Sequence, residues 1–351
     1  MATAQLIPFS LATKAILAEE PSIAYVSGAR GQPAKLQNGG ALVDLLLSVD
    51  GTMTFVQPAG AAAPTLNPEM PGAFFSNVHL QFPNGLDPVQ ASGFGLDLWR
   101  TVAYRAAGSK VSTASLPLPP ANSGTSSVTT NEPWHLSAMV PVAITYEDLV
   151  GLINTDSDKV NISLSATFNP ESSMLDLPSG TTASFSGTVT IQSERFTLPD
   201  PRLATWPPFN VIHQLVQQQV SITGTLTTVE IVPGYDILRF ILWLENNDAL
   251  DTGDSLGLTS GGSIELLTNV GETQQLWNPK ILRARNAEAY GGALPGGAYV
   301  LDFTPNYPAE VLRSYEYSAV KLQVKTTAAP TQPAAVKLVV EQLVDIAEAI
   351  A

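Results

Sequence analysis

Apolar and polar residues alternate with a period of two over much of this chain. In "KVNISLSATF", Val160, Ile162, Leu164, Ala166 and Phe168 fall on one side, and Asn161, Ser163, Ser165 and Thr167 on the other. Successive side chains of a strand point to opposite faces, so this pattern predicts a strand with one buried face. "AVKLQVKTT" repeats it with Val320, Leu322 and Val324, and "FSGTVTIQ" with Phe185, Gly187, Val189 and Ile191. "YDILRFILWLENND" is a denser apolar run, bounded by Pro233-Gly234 and by Asn246-Asn247-Asp248. It predicts a strand buried on both faces.

One arrangement occurs twice. "ITYEDLVGLINTDSDKVNISLSATF" (Ile144 to Phe168) and "TPNYPAEVLRSYEYSAVKLQVKTTA" (Thr304 to Ala328) both read as a tyrosine, a short helix and an alternating strand. In the first, Tyr146, Leu149, Val150 and Ile153 have helical spacing, and Thr145 with Asp148 resembles a capping box. In the second, Asn306 or Tyr307 can cap and Pro308 suits a first turn, with Val311 following. An apolar strand precedes each copy ("HLSAMVPVAI", "GAYVLDFT") and another follows ("GTVTIQSERF", "AVKLVVEQLV"). Val340, Leu343, Val344 and Ala347 would also suit a helix. The equivalent place in the first half is a strand, so a strand is expected here, with "DIAEAIA" helical or frayed.

Two β-rich halves of the same order imply an all-β protein. The expected fold is two tandem eight-stranded jelly rolls, a double jelly roll, with a few short helices. The proline-rich stretch "LPDPRLATWPP" (Leu198 to Pro208) separates the halves. The expected division is an N-terminal arm or helix over 1–24, a first jelly roll over 25–200 and a second over 201–351. "PFSLATKAILAEE" predicts a helix starting at Ser10, while "NVIHQLVQQQV" is ambiguous between helix and strand. Ser109 to Asn131 is expected to be a long surface loop.

The 351 residues are 44% hydrophobic and 14% charged, enough for a sizeable core, and the net charge is −14. No basic run offsets that charge, so no direct nucleic acid binding is expected. The chain has no cysteine, which excludes disulfides, thiolate chemistry and cysteine-ligated zinc. Its start lacks the pattern of a secretory signal and no run reaches membrane-spanning length, so synthesis in a cytoplasm is expected.

Catalytic signals are weak. "ALDTGDS" (Ala249 to Ser255) contains the hydrophobic-Asp-Thr-Gly pattern of aspartic proteases, whose chemistry needs two aspartates sharing a proton. A second copy is absent, so Asp251 is expected in a solvated loop, where substitution changes little. Asp248, Asp251 and Asp254 lie three apart, whereas calcium loops place ligands at alternate positions. His79, His135 and His213 are far apart in sequence. No metal or cofactor is expected. The "NIS" triplet at Asn161 falls in a predicted strand and is discounted. Trp99, Trp134, Trp206, Trp243 and Trp277 are scattered, which suits core packing better than a sugar-binding platform.

"VPVAITYEDLVGLINTDSDKVNISLSATFNP" and "LPGGAYVLDFTPNYPAEVLRSYEYSAVKLQVKTT" resemble the corresponding parts of double jelly-roll major capsid proteins of tailless, internal-membrane (tectivirus-like) icosahedral bacterial viruses. The carriers are the Tyr-acidic-Asp-Leu stretch after a strand, the Val-Asn-x-x-Leu strand and the "LPGG" lead into an aromatic strand ending Asp-Phe. The resemblance covers most of 134–196 and 235–327. The N-terminal hundred residues match only in general character. The resemblance implies a non-enzymatic subunit of the virion, forming homotrimers of pseudo-hexagonal outline that tile an icosahedral shell. The implied partners are neighbouring capsomers, minor capsid or vertex proteins and an internal lipid membrane, with the N-terminal segment on the membrane-facing side. Ile7, Phe9, Leu11 and Lys14 are then the candidate residues for membrane-side or packing contacts. Two other readings stay open: a β-sandwich spike or carbohydrate-binding protein, and an enzyme built on a jelly roll.

Overall fold

The computed structural model describes residues 7–82, 85–104, 114–144, 149–156, 161–207, 209–269, 272–304 and 311–345. The chain divides into two compact units. One comprises Met1–Asp97, Val111–His213 and Asp345–Ala351; the other comprises Leu98–Lys110 and Gln214–Val344.

The first unit is built on β1 (Ala15–Ala24), β2 (Ala34–Lys35), β3 (Ala41–Gln57), β4 (Phe75–Gln81), β5 (Val89–Ala91), β6 (Val128–Pro141), β7 (Ser163–Phe168) and β8 (Thr182–Phe196). One sheet runs β1-β8-β3-β6 and the other β2-β7-β4-β5. Their pairing is antiparallel throughout. This order is the eight-stranded jelly roll.

The second unit uses β9 (Val211–Ser221), β10 (Leu226–Ile231), β11 (Asp236–Asn246), β12 (Ser263–Thr268), β13 (Glu272–Trp277), β14 (Ala298–Asp302), β15 (Val320–Lys325) and β16 (Ala334–Asp345). Its sheets run β9-β16-β11-β14 and β10-β15-β12-β13. Each strand therefore occupies the position of the strand eight places earlier. The fold is two jelly rolls, as the repeated pattern predicts.

Alternation and burial agree closely. In β3, Leu45, Leu47, Val49, Met53 and Phe55 are buried. The core of the first unit includes an aromatic cluster, with Phe185 ring centroids 4.9 Å from Tyr25 and 5.3 Å from Phe74. Burial pushes the Tyr25 hydroxyl up to about 12, and it donates to the Asn169 carbonyl at 3.1 Å. In the second unit, Phe240, Leu242 and Leu244 of β11 share a core with Leu322 of β15 and Leu266 of β12. β11 is buried on both faces, as its dense apolar run predicts.

The helices lie elsewhere than expected. In chain order a helix follows the fifth strand of each set of eight: α1 (Gly93–Ala103) follows β5 and α2 (Pro279–Ala289) follows β13. Tyr146 and Tyr307, where the repeated helices were expected to begin, lie outside the described residues. Next to the first, Leu149 has φ +53°, a left-handed conformation that does not propagate a right-handed helix, and Ile153–Asn154 pairs with β3. In the second copy Leu312–Arg313 pairs with β11, followed by one 3-10 turn at Ser314–Glu316.

Two N-terminal expectations need correction. Helix is confined to Phe9–Ala12, and residues 15–24, expected within an arm or helix, form β1 of the first jelly roll. The reason is tertiary: from Ala15 onward the backbone pairs with β8, starting at Phe196. The ambiguous 211–221 stretch is strand, and so is 334–345, while 346–351 lie outside the described residues. Trp99, Trp134 and Trp243 are core residues.

Candidate assembly surface

The N-terminal segment is fixed to the first unit by named contacts. Ile7–Pro8 pairs in parallel with Ala204–Thr205, and the Ile7 amide donates to the Leu203 carbonyl at 2.9 Å. Phe9 is buried against Ala41, Val43, Ala143, Leu152 and Phe196, meeting the Phe196 ring edge-to-face at 6.0 Å. The Thr13 hydroxyl donates to the Thr197 carbonyl at 2.6 Å. The Lys14 amide donates to the Thr197 hydroxyl at 2.9 Å.

These contacts sort the four sequence candidates. Phe9 is core and is withdrawn from any partner. Ile7 is 48% exposed, Leu11 77% exposed, and Lys14 is exposed. Two further apolar residues are exposed on the segment that pairs with Ile7–Pro8: Leu203, 64% exposed, which carries no sequence signal, and Trp206, 37% exposed, which departs from the core packing expected of it. The Trp206 indole donates to the Pro199 carbonyl at 3.1 Å. A tryptophan with a bonded N–H and a wet ring edge suits a boundary between water and an apolar phase.

Beside this segment lies a cavity of about 390 Å³ lined by Ile16, Ala18, Gly40, Arg195 and Phe196. Gly40 has φ +71°, and a Cβ there would sit 2.5 Å from the Phe196 carbonyl oxygen. Only glycine suits that close approach.

A second face is formed in the other unit by β13 and α2. Asn278 caps α2, its Oδ1 accepting from the Lys280 amide at 3.0 Å, with Pro279 at the first helical position. Leu276 and Ile281 are 65% and 58% exposed there, and Lys280 and Arg285 are exposed too. A cavity of about 420 Å³ opens among Trp277, Leu282, Arg285, Tyr290 and Asp302. Asn286 fastens α2 to β14: its amide donates to the Val300 carbonyl at 3.0 Å and its carbonyl accepts from the Val300 amide at 3.0 Å. Asp302 of the lining lies, through Oδ1, 3.3 Å from Arg239 Nε, and Arg239 Nη1 lies 2.7 Å from Glu341 Oε2. Burial alone would raise the Asp302 pKa. The Arg239 charge and the hydrogen bonds from Thr304 and Tyr290 outweigh it and hold the carboxyl below its usual range.

Asp251 is not in a solvated loop. It is 7% exposed and accepts from the Ser255 amide (2.8 Å), the Ser255 hydroxyl (2.7 Å) and the Leu256 amide (3.1 Å). Its carboxylate organises a turn, leaving little acceptor capacity for a reacting group. Among the described residues no cluster of His, Asp and Glu is arranged to hold a metal. His79 pairs with Asp87 at 2.9 Å and His135 with Asp50 at 2.6 Å, while His213 is buried. No described helix is long and apolar enough to cross a membrane.

No protein-family model matches the chain, and no curated protein matches it. Solved structures do. The crystal structure of the STIV major capsid protein (Sulfolobus turreted icosahedral virus) is 16% identical with a TM-score of 0.60, over 96% of this chain and 99% of that one. The Faustovirus major capsid protein is 8% identical with a TM-score of 0.66, over 98% and 91%. The major capsid protein of bacteriophage PM2 is 12% identical with a TM-score of 0.53, over 94% and 97%. At these identities the likeness establishes the fold, a double jelly roll spanning nearly the whole chain.

Proposed function

We propose that this chain is the major capsid protein of an icosahedral virus. Three copies would form a capsomer of pseudo-hexagonal outline that tiles the shell, without catalytic activity. The observation that carries this reading is the repeat of all eight strand positions, helix after the fifth included. Two similar barrels per chain give a trimer six similar corners, which a flat hexagonal tile requires and a solitary binding module does not. The full-length match to major capsid proteins of three viruses supports it. The net charge of −14 favours a role as wall rather than as nucleic acid binder. Light scattering on the purified protein tests it: a stable particle of three times the 37.1 kDa chain is expected, and a clean monomer at high concentration overturns it.

The exposed Ile7, Leu11, Leu203 and Trp206 support a second element of the same reading, contact with an internal lipid membrane. So small an apolar surface binds weakly alone. Many copies held in a shell would multiply it by avidity. Minor proteins at the vertices are the further partners this role requires.

A further inference from the structure

One residue stands outside a dense network in the first unit. The loop between β2 and β3 reads Leu36-Gln37-Asn38-Gly39-Gly40, and all its residues but one are tied down. The Leu36 amide donates to the Ile162 carbonyl at 3.0 Å. The Gln37 backbone amide donates to the buried Glu20 carboxylate at 2.7 Å, and its side-chain amide to the Glu19 carbonyl at 2.9 Å. The Gly39 amide donates to the Thr155 carbonyl at 2.9 Å. The Gly39 carbonyl accepts from the Thr155 hydroxyl at 3.0 Å and from Arg195 Nη1 at 2.9 Å. The Gly40 carbonyl accepts from the Thr155 amide at 2.8 Å and from the Thr155 hydroxyl at 2.9 Å. Asn38 is exposed and makes no hydrogen bond with any described residue.

An asparagine followed by glycine is the pair in which a side-chain amide is most easily lost. The glycine nitrogen reaches the side-chain carbonyl carbon with no Cβ in the way, and nothing lies within 4 Å of the place a Cβ on Gly39 would occupy. The Gly39 nitrogen gives its proton to hydroxide and forms a bond to Asn38 Cγ. The Asn38 side-chain nitrogen leaves as ammonia, and a cyclic imide closes. Water then opens the imide at either carbonyl. One opening gives aspartate. The other gives isoaspartate, in which the main chain runs through the former side chain and is one methylene longer. Water is the one reagent consumed.

In the closed loop the first step is blocked. The Gly39 N–H is held by the Thr155 carbonyl, which shields it from hydroxide. Local opening frees it. We infer that Asn38 is a self-modification site and that Thr155 is its gate. The isoaspartyl product cannot reclose the loop, because the longer main chain carries the Gly39 carbonyl away from Arg195 and Thr155. Its new carboxylate joins Asp156 on the wall of one cavity. A reversible opening thus becomes permanent, and β1, which the Arg195–Glu20 pair fastens to β8, is loosened.

The test compares reaction rates. The folded natural chain, folded Thr155→Val and the natural chain in urea are kept at mildly alkaline pH. Isoaspartate at residue 38 is counted by peptide mass mapping with isoaspartyl methyltransferase labelling. Thr155→Val removes the hydroxyl that holds both glycine carbonyls. The reaction should be fastest in urea, about tenfold or more slower in the folded natural chain, and intermediate in Thr155→Val. The modified chain should unfold at lower urea and exchange the amides of residues 15–20 faster than the unmodified chain, while Asn38→Ala should give no product. Equal rates in the folded chain and in urea overturn the gate, as do equal rates in the natural chain and Thr155→Val. Absence of isoaspartate at residue 38 even in urea overturns the site. A product as stable as the unmodified chain overturns the loosening. If Thr155→Val loses strand content by circular dichroism, Gln37→Ala, which removes an exposed side chain that ties the loop to Glu19, replaces it on the same criteria.

Discussion

Arg195 Nη2 lies 2.6 Å from Glu20 Oε1, and both side chains are almost fully buried. The pair joins β8 to β1. Both carboxylate oxygens accept further bonds: the Ser193 hydroxyl donates to Glu20 Oε1 at 2.6 Å and the Gln37 backbone amide donates to Oε2 at 2.7 Å. Arg195 also donates to the Gly39 carbonyl at 2.9 Å and the Thr155 hydroxyl at 3.0 Å. One ion pair thus locks the edge strand and two loops at one end of the first jelly roll.

Removing one partner of this pair strands the other charge. Arg195→Met is expected to lower unfolding free energy by roughly 3–5 kcal/mol. The double variant Arg195→Met with Glu20→Leu should be less destabilised than Arg195→Met alone. Urea unfolding of the three proteins checks this, and equal losses in the single and double variants would contradict it.

Gly51 and Gly187 face each other across β3 and β8, and the Phe185 ring fills the space their missing side chains leave. A Cβ on Gly51 would lie 2.4 Å from Phe185 Cζ and 2.5 Å from the Ser186 carbonyl oxygen. Gly51→Ala should cost about 1–3 kcal/mol by overpacking. In a Phe185→Leu background its cost should fall, a coupling that a thermal-melt double-mutant cycle measures.

Asp251 accepts three hydrogen bonds in its turn. Asp251→Asn weakens them and should cost roughly 1.5–3 kcal/mol, the range for hydrogen bonds to a charged group. An unfolding midpoint equal to that of the natural chain would show the turn holds without them. No acid-dependent proteolysis should appear in either protein.

Asp302 sets an acid response. Its pKa is depressed in the folded state, so its contribution is present above the unfolded value, about 3.9, and is lost as pH falls through the lower folded value. The advantage of the natural chain over Asp302→Asn in urea should be full near neutrality and shrink below about pH 4. A difference that stays constant into strong acid would contradict this.

Phe9 and Leu11 stand two residues apart with opposite roles. Phe9→Ala removes a core ring and should cost about 3–5 kcal/mol. Leu11→Ser should change stability by no more than about 0.5 kcal/mol. If the outward residues touch lipid, Leu11→Ser with Trp206→Ser should weaken co-flotation of the unassembled protein with phosphatidylglycerol vesicles. Unchanged flotation would remove these residues from the membrane contact.

Strand pattern and duplication were readable because both are local. Alternation follows from a strand having two faces, and β3, β8, β11 and β16 bury the residues their apolar spacing selects. The two halves repeat their order because each must close the same two sheets over one core. The start of α2 was not expected, although Asn278-Pro279, a cap followed by a proline at the first helical position, is a local signal for it. Tertiary structure decided the rest. "AILAEE" has helical propensity, yet it is strand because β8 supplies a hydrogen-bonding partner along its length. Asp251 sits in a polar stretch that reads as solvated, yet its own turn folds back and buries it. Gly51 carries no pattern, since its purpose appears only when Gly187 and Phe185 arrive from a strand more than a hundred residues away. Propensity and periodicity act over a few residues, whereas these outcomes depend on partners that only the folded chain brings together.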